Sequence, residues 1–255
     1  MELGLKDKVA IVTGGSSGIG RAAVLAFAQA GARVVATYRS NGDGAEATAR
    51  EARLSGAEVV TGALDLADTP ALAGLVDATA QRWGGVDILV NSAVDYPPFP
   101  APGQQFEDAP AEWLARSLTS NLLGPYTLSQ AAVRHMRRAG GGRIVYLSST
   151  FVEDGYPGRA PYVAAKSGLH GLARVMSREL ARAGILTNVV IPGFTPGDKP
   201  QSQGLLQLVQ AATATRRVTT PEEVANTILF LCSQANSNIT GQVVRVDGHF
   251  MTPAP

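Results

Sequence analysis

The sequence is poor in cysteine, histidine and lysine. Its 255 residues include one cysteine, Cys232, and three histidines, so no internal disulfide can form and no set of metal ligands is expected. Cys232 ends an apolar run, residues 228–232, and is predicted to be a small core residue. Only four of the 22 cationic residues are lysines, which makes a lysine inside a motif informative.

Long apolar runs and an excess of charge are also missing. No stretch approaches the ~20 apolar residues of a membrane-spanning helix, and residues 1–7 lack the apolar block of a secretion signal. The net charge of +1 creates no long-range attraction for nucleic acid or an anionic membrane. We therefore expect a cytoplasmic protein that binds neither.

Short β-branched runs alternate along the chain with longer helical patterns, which predicts a parallel sheet covered by helices on both faces. The predicted strands are Val9–Thr13, Arg33–Thr37, Glu58–Thr61, Asp87–Val90, Arg143–Leu147, Leu186–Ile191 and Val243–Val246. The predicted helices are Ile19–Ala30, Gly44–Leu54, Pro70–Trp83, Pro110–Arg138, Pro161–Ala183 and Pro221–Ser233. The fold class is α/β, a Rossmann-type doubly wound parallel sheet of about seven strands. No linker or repeat divides the chain, so residues 1–255 are expected to form one domain.

Two stretches without strand character, 95–105 and 194–217, follow predicted strand ends. Ligands of such sheets bind beyond the carboxyl ends of the strands, so these stretches are candidates for a substrate pocket and for a lid at 194–217; plain irregular connections are the alternative. The apolar residues expected to line a partly apolar pocket are Tyr96, Pro97, Pro98, Phe99, Pro100, Phe151, Tyr156, Phe194, Leu205, Leu206, Leu208 and Val209.

A glycine-rich turn follows the first predicted strand and opens a helix. Its glycines, Gly14, Gly18 and Gly20, have the spacing G-x-x-x-G-x-G rather than G-x-G-x-x-G. The strand–turn–helix context suits a dinucleotide pyrophosphate, because glycine permits close backbone approach and the free N–H groups of the helix start meet the phosphates. The predicted cofactor contacts here are Gly14, Ser16, Ser17, Gly18, Ile19 and Gly20; a purely structural turn is the alternative.

The end of the second predicted strand indicates which nicotinamide cofactor is used. An acid at this place would bind a free ribose 2′-OH, but the local sequence is Tyr38-Arg39-Ser40-Asn41. The fork of Arg39 suits a 2′-phosphate, and the Ser40 hydroxyl can assist. NADP(H) is therefore preferred over NAD(H), with a solvated Arg39 as the alternative.

A candidate catalytic pair lies at the start of the fifth predicted helix. Tyr162 and Lys166 are four residues apart and share one helix face. A free tyrosine has a pKa of about 10, and a nearby cation favours the phenolate and lowers that value. Such a pair is often only a surface pair, but here Ser149, with Ser148 beside it, ends the fifth predicted strand just upstream.

These motifs together resemble the short-chain dehydrogenase/reductase family, in its single-domain branch, and are similar to 3-oxoacyl-ACP reductase-like members. The resemblance covers nearly the whole chain. It is carried by residues 13–20, Asp65, Asn91, Asn121, Ser149, Tyr162, Lys166, Pro192, Gly193 and the end segment 240–248.

The resemblance implies an enzyme that interconverts a ketone and a secondary alcohol. Tyr162 would be the general acid/base, Ser149 would hydrogen-bond the reacting oxygen with Ser148 as the fallback, and Lys166 would lower the Tyr162 pKa and contact the nicotinamide ribose. Asn121 would help to hold a water that links Lys166 to solvent; without the family, a plain exposed asparagine is the better interpretation.

The resemblance also implies further cofactor contacts and a substrate class. Asp65 and Leu66 would face the adenine, although Asp65 alone suggests a helix cap; the remaining family positions are Asn91, Ala93, Pro192, Gly193 and Thr195. The partner is a small carbonyl or alcohol compound, with a 3-oxoacyl or polyketide-like ketone as the leading candidate, and a homotetramer or dimer is expected. The alternative function is an NADP(H)-binding sensor without turnover, which the four filled catalytic positions disfavour.

Three segments depart from the family pattern. Asn91-Ser-Ala-Val94 stands where Asn-Asn-Ala-Gly is typical, so Val94 adds bulk to the loop after strand four. The segment Phe194-Thr-Pro-Gly-Asp198 lacks the threonine that the family usually has a few residues after Pro192-Gly193. His249 replaces a glycine of the family pattern and is expected to have a structural role. None of these changes removes a catalytic group.

Overall fold

The computed structural model describes residues 3–98, 101, 104–198 and 200–250. Of the predicted features, Met1 and Glu2 at the start, Phe99 and Pro100 in the pocket loop, and Lys199 in the segment 194–217 lie outside the described residues.

The seven strands form a single parallel sheet in the order β3-β2-β1-β4-β5-β6-β7. Their bounds are Val9–Val12 (β1), Arg33–Tyr38 (β2), Val59–Ala63 (β3), Ile88–Asn91 (β4), Gly142–Leu147 (β5), Ile185–Pro192 (β6) and Val243–Val246 (β7). Successive strands are added on one side of β1 up to β3 and on its other side from β4 onward, and a crevice opens between β1 and β4 beyond the carboxyl ends of the strands. The predicted doubly wound Rossmann-type sheet is confirmed.

Helices cover both faces of the sheet. Their bounds are Gly18–Gln29 (α1), Gly42–Arg53 (α2), Thr69–Trp83 (α3), Ala111–Leu118 (α4), Gly124–Arg138 (α5), Phe151–Asp154 (α6), Ala160–Leu180 (α7), Gln203–Ala212 (α8) and Pro221–Cys232 (α9). On one face the core includes the fully buried Phe27, and on the other face it includes Tyr146 and Met136. Cys232 lies buried in the first of these cores, as predicted.

The helices differ from the predictions in three places. The predicted helix 110–138 is interrupted by a π-helical turn, Thr119–Leu123, between α4 and α5. The segment 194–217, for which no helix was predicted, contains α8, whose first turn is capped by the Ser202 hydroxyl accepting from the Leu205 N–H. The short helix α6 also went unpredicted because it has only four residues. Within the described ranges, no helix is both long and apolar enough to cross a membrane.

Candidate active site

A cavity of about 430 Å³ lies beyond the carboxyl ends of the central strands. The predicted site residues that line it are Gly14, Ser16, Ser17, Gly18, Ile19, Gly20, Arg39, Ser40, Asp65, Leu66, Ala93, Tyr162, Lys166, Pro192 and Thr195. The other predicted site residues, Asn91, Asn121, Ser149 and Gly193, are each the chain neighbour of a lining residue. The fold thus brings the predicted cofactor and catalytic residues to one end of the sheet.

Two glycines of the glycine-rich turn, Gly14 and Gly20, have no room for a side chain. Gly14 has a φ of +72°, and a Cβ there would lie 2.9 Å from the Cα of Ala93; a Cβ on Gly20 would lie 2.2 Å from the Gly14 carbonyl oxygen. Helix α1 begins here with no acidic residue in its first turn and no side-chain cap from Ser17. The N-terminal N–H groups and the positive end of the helix dipole therefore suit a pyrophosphate.

The loop after β4 is fastened to this turn. The Thr13 hydroxyl oxygen accepts hydrogen bonds from the backbone N–H groups of Ser92 and Ala93, each at 3.0 Å. The neighbouring Asn91 side chain is buried, and among the described residues neither its amide nitrogen nor its oxygen has a hydrogen-bond partner. Buried amides are normally satisfied, so Asn91 fits a site that a bound cofactor completes.

An ion-pair cluster occupies the end of the cavity where the adenosine is expected. Asp95, in the loop after β4, accepts from Arg39 Nη1 at 3.0 Å. It also accepts from Arg116 of α4, through Nε at 2.6 Å and Nη2 at 2.8 Å. The pKa of Asp95 is held below its usual range, first by the hydrogen bond from Arg116 and then, against the opposing effect of burial, by that from Arg39. The residues directly after β2, Arg39 to Asn41, include no acid, but the fold places the carboxylate of Asp95 beside Arg39 from the loop after β4.

Asp65 also lies at this end of the cavity, as expected. Its Oδ1 accepts from the N–H of Ala67 at 2.9 Å, and α3 begins only at Thr69. Asp65 therefore shapes the turn after β3 and is not the cap of α3.

Tyr162 and Lys166 lie on the first two turns of α7 and are 3% and 2% exposed. Lys166 Nζ donates to the Leu147 carbonyl oxygen at 2.8 Å and lies 5.9 Å from the centre of the Tyr162 ring. Burial lowers the pKa of Lys166 to about 8. The pair therefore faces the cavity from inside the protein and is not a surface pair.

The pKa of Tyr162 differs from the expectation that the lysine lowers it. Burial raises this pKa well above its usual value, Tyr96 raises it further, and hydrogen bonding with Ser149 and the charge of Arg159 only partly oppose this. Without a bound ligand, the phenol stays protonated, which is the form that can donate a proton.

The two adjacent serines have different partners. The Ser148 hydroxyl hydrogen-bonds His170 Nε2 at 2.8 Å, while Ser149 interacts with Tyr162 and accepts from the Phe151 N–H at 3.3 Å. Ser148 lines the cavity, but its hydroxyl is already engaged by the histidine. Ser149 is therefore the serine that the structure brings to the tyrosine.

Asn121 lies in the π-helical turn and is fully buried. Its Oδ1 accepts from the backbone N–H of Asp95 at 3.0 Å, and its Nδ2 donates to the Asp95 carbonyl oxygen at 2.8 Å and to Ser117 Oγ at 3.2 Å. The interpretation as an exposed asparagine is wrong. The side chain holds the loop after β4 in place. An asparagine in the middle of a helix indicates a local irregularity of the backbone, and the π-helical turn is this irregularity.

Tyr162 is covered by an aromatic side chain, Tyr96, that was expected only somewhere in the pocket. The Tyr96 ring is 5.2 Å from that of Tyr162 at an angle of 30°, although 59% of Tyr96 is exposed. Arg159, one turn before Tyr162, is buried and donates to the Pro97 carbonyl oxygen at 3.2 Å. This arginine went unpredicted because no motif marks it.

The segment after β6 closes the cavity from another side. The Thr195 hydroxyl donates to the Gly193 carbonyl oxygen at 3.0 Å, and Gly197 lines the cavity near Gly18. Farther along, Val209 is buried and Leu208 is exposed, and the cavity lining includes none of the predicted pocket residues of α8. Near the end of the described chain, the His249 N–H donates to Asp247 Oδ1, at a φ of +57°.

Comparison with known proteins agrees with this geometry. Residues 14–250 match a family model described as enoyl-(acyl carrier protein) reductase. The chain is 36% identical over 249 residues to cis-4-hydroxycyclohexanecarboxylate dehydrogenase of Sinomonas cyclohexanicum, with 96% of both chains covered. It is 34% identical over 248 residues to 3-oxoacyl-(acyl-carrier-protein) reductase of Thermotoga maritima, covering 96% of this chain and 98% of that protein.

A solved structure is similar along its whole length. It is a 7α-hydroxysteroid dehydrogenase complexed with NADH and 7-oxo glycochenodeoxycholic acid, with a TM-score of 0.90 and 30% identity, covering 99% of this chain and 97% of that one. Together with the glycine turn and the tyrosine–lysine pair, these matches show that the chain belongs to the short-chain dehydrogenase/reductase family of oxidoreductases.

Proposed function

We propose that the protein is an NADP(H)-dependent oxidoreductase that interconverts a ketone and a secondary alcohol, with Tyr162 as the general acid/base. The observation that carries the proposal is the buried tyrosine, which interacts with Ser149 and lies one helical turn from Lys166 at the end of the cavity. When bound, the nicotinamide supplies or accepts the hydride at the carbinol carbon.

The protein's own groups handle the oxygen and its proton. In reduction, the Tyr162 hydroxyl donates its proton to the carbonyl oxygen, and the Ser149 hydroxyl donates a hydrogen bond to the same oxygen. The protonated Lys166 stabilises the phenolate that remains, because opposite charges attract strongly in a buried site. Oxidation of the alcohol reverses these steps, with the Tyr162 phenolate accepting the proton.

NADP(H) preference is supported by Arg39, which lies in the cavity where the ribose 2′ position is expected. Titration of the protein with NADPH and with NADH, followed by nucleotide fluorescence, tests this preference. We expect tighter binding of NADPH and a smaller difference in the Arg39→Gln variant. Equal affinities in the parent protein would contradict the preference and would favour NAD(H).

The substrate is proposed to be a ketone with a partly apolar body, with a 3-oxoacyl or polyketide-like compound first. Tyr96 and Val94 line the cavity beside Tyr162 and supply apolar surface. The names of the three relatives point to ketones or secondary alcohols of very different shape. Residues 194–217, with α8, are proposed to act as the substrate lid.

A panel of ketones and alcohols, assayed with both cofactors by the absorbance of reduced nicotinamide, tests the activity and its substrate class. We expect turnover of 3-oxoacyl thioesters or bulky cyclic ketones with NADPH. Saturable NADPH binding without turnover on any member of the panel would instead support a sensor.

Self-association is proposed on the face formed by α4, α5 and α7. Large apolar side chains are exposed on these elements and the turn between them, namely Leu114, Leu123, Tyr126 and Val175. A second copy of the chain would bury them. Light scattering is expected to give the mass of a tetramer or dimer, and a monomer at micromolar concentration would contradict the proposal.

A further inference from the structure

The cluster formed by Arg39, Asp95 and Arg116, called the Asp95 cluster below, joins three separate parts of the chain. Arg39 follows β2, Asp95 lies in the loop after β4, and Arg116 lies in α4. The single carboxylate receives three N–H donors, one from Arg39 and two from Arg116, at 2.6 to 3.0 Å.

Burial within the Asp95 cluster is uneven. The Asp95 side chain is 7% exposed, whereas those of Arg39 and Arg116 are 50% and 56% exposed. Each guanidinium has five N–H donors, and Asp95 engages only one from Arg39 and two from Arg116. The cluster carries a net charge of +1, so it presents unused donors and excess positive charge beside the cavity.

The position of Asp95 does not depend on the arginines. Asn121 hydrogen-bonds both the N–H and the carbonyl oxygen of its backbone from the buried π-helical turn. A change of the Asp95 side chain leaves these two backbone bonds in place, because Asn121 hydrogen-bonds only the main chain of Asp95.

Arg116 does not itself line the cavity, but it hydrogen-bonds Asp95, which does. Arg39, Ser40, Asp65 and Asp95 all line the cavity. The pKa of Arg116 is raised first by Asp95 and additionally by the charge of Asp65. Arg116 therefore lies within electrostatic reach of two cavity-lining carboxylates.

We propose that Arg116 is a second ligand of the cofactor 2′-phosphate beside Arg39, and that Asp95 competes with this phosphate for both guanidinium groups. Asp95 thereby limits how strongly the site prefers NADP(H) over NAD(H). The inference rests on the proposed NADP(H) dependence.

The physical argument is one of charge. A phosphate monoester carries a charge of about −1.5 to −2 near neutral pH, and the 2′-hydroxyl of NAD(H) carries none. The Asp95 carboxylate repels the phosphate and occupies donors that the phosphate needs, whereas it does not repel a hydroxyl and can accept a hydrogen bond from it. Removing its charge should therefore tighten binding of the phosphorylated form selectively.

Calorimetric titration with adenosine 2′,5′-bisphosphate and with 5′-AMP tests this on the full chain, because the two probes differ only in the 2′-phosphate. The quantity compared is the ratio of the two dissociation constants, 5′-AMP over bisphosphate. Asp95→Asn should raise this ratio about tenfold and Arg116→Gln should lower it about tenfold, a factor that corresponds to about 1.4 kcal/mol.

Arg137→Gln is the matched control, because it removes one exposed positive charge at the far end of α5. It should leave the ratio unchanged, and saturable 5′-AMP binding by each variant shows that the variant is folded. If Asp95→Asn does not fold, Asp95→Ser removes the same charge and gives the same test.

The outcomes separate this inference from the proposed cofactor. Equal affinity of the parent protein for the two probes would overturn the NADP(H) preference itself. A parent that prefers the bisphosphate while Arg116→Gln matches the control would overturn the role of Arg116 alone. An unchanged or lower ratio in the Asp95 variants would overturn the competition.

Discussion

Replacing Lys166 with methionine should remove a cost to folding that depends on pH. Burial lowers the pKa of this lysine from 10.5 to about 8, a difference that corresponds to about 3 kcal/mol. The pKa is lower in the folded state, so between pH 8 and 10.5 the unfolded chain binds more protons than the folded one. The free energy of unfolding of the parent protein therefore rises through this window, and the full penalty is present below pH 8.

The assay is urea unfolding of both proteins at several pH values from 7 to 10, followed by circular dichroism. Methionine leaves the Leu147 carbonyl oxygen without its donor, which costs about 1–3 kcal/mol at every pH. The informative quantity is therefore the pH dependence of the difference in stability between the two proteins, in which other titrating groups largely cancel. We expect the parent to gain about 2–3 kcal/mol relative to the variant between pH 7 and 10. A difference independent of pH would refute the reasoning, because Lys166 would then keep an ordinary pKa when folded.

Three further predictions concern the neighbouring contacts. Ser149→Ala should lower kcat/KM by about 10²-fold, whereas Ser148→Ala should cost much less because its hydroxyl is held by His170; equal losses would contradict this assignment. Asn121→Ala should lower the free energy of unfolding by about 2–3 kcal/mol, measured by urea unfolding, since the buried backbone of Asp95 loses two hydrogen bonds; an unchanged value would show that the loop does not need this brace. Tyr96→Ala should raise KM for the ketone more than it lowers kcat. Tyr96→Phe should have kinetics close to those of the parent because the ring is retained. A loss confined to kcat would show that Tyr96 takes part in proton transfer.

Much of the sheet could be predicted because its strands are buried on both faces. Strands β1 and β4 are buried at every position and appear in the sequence as continuous apolar runs between turns. Their predicted ends differ from the observed ends by at most one residue. The glycine turn was equally predictable, because a positive φ at Gly14 and close backbone contacts at Gly14 and Gly20 exclude residues that have a side chain.

Other features could not be predicted because they depend on contacts between distant residues. Asp95 meets Arg39 across 56 positions, and no local pattern indicates that pairing. The π-helical turn depends on the amide of Asn121 reaching the loop after β4, and helix propensity alone favoured an uninterrupted helix. The direction of the Tyr162 pKa was misjudged because helix spacing reveals the lysine but not the burial, and burial has the larger effect.

The central claim is that the Tyr162 hydroxyl supplies the proton in ketone reduction. The most direct measurement is NADPH-dependent reduction by the Tyr162→Phe variant, with its NADPH affinity determined in parallel by fluorescence titration. The account predicts a fall in kcat/KM of about 10²- to 10⁴-fold or more, with NADPH binding nearly intact because only one hydroxyl is removed. Reduction by this variant at close to the parental rate would contradict the account.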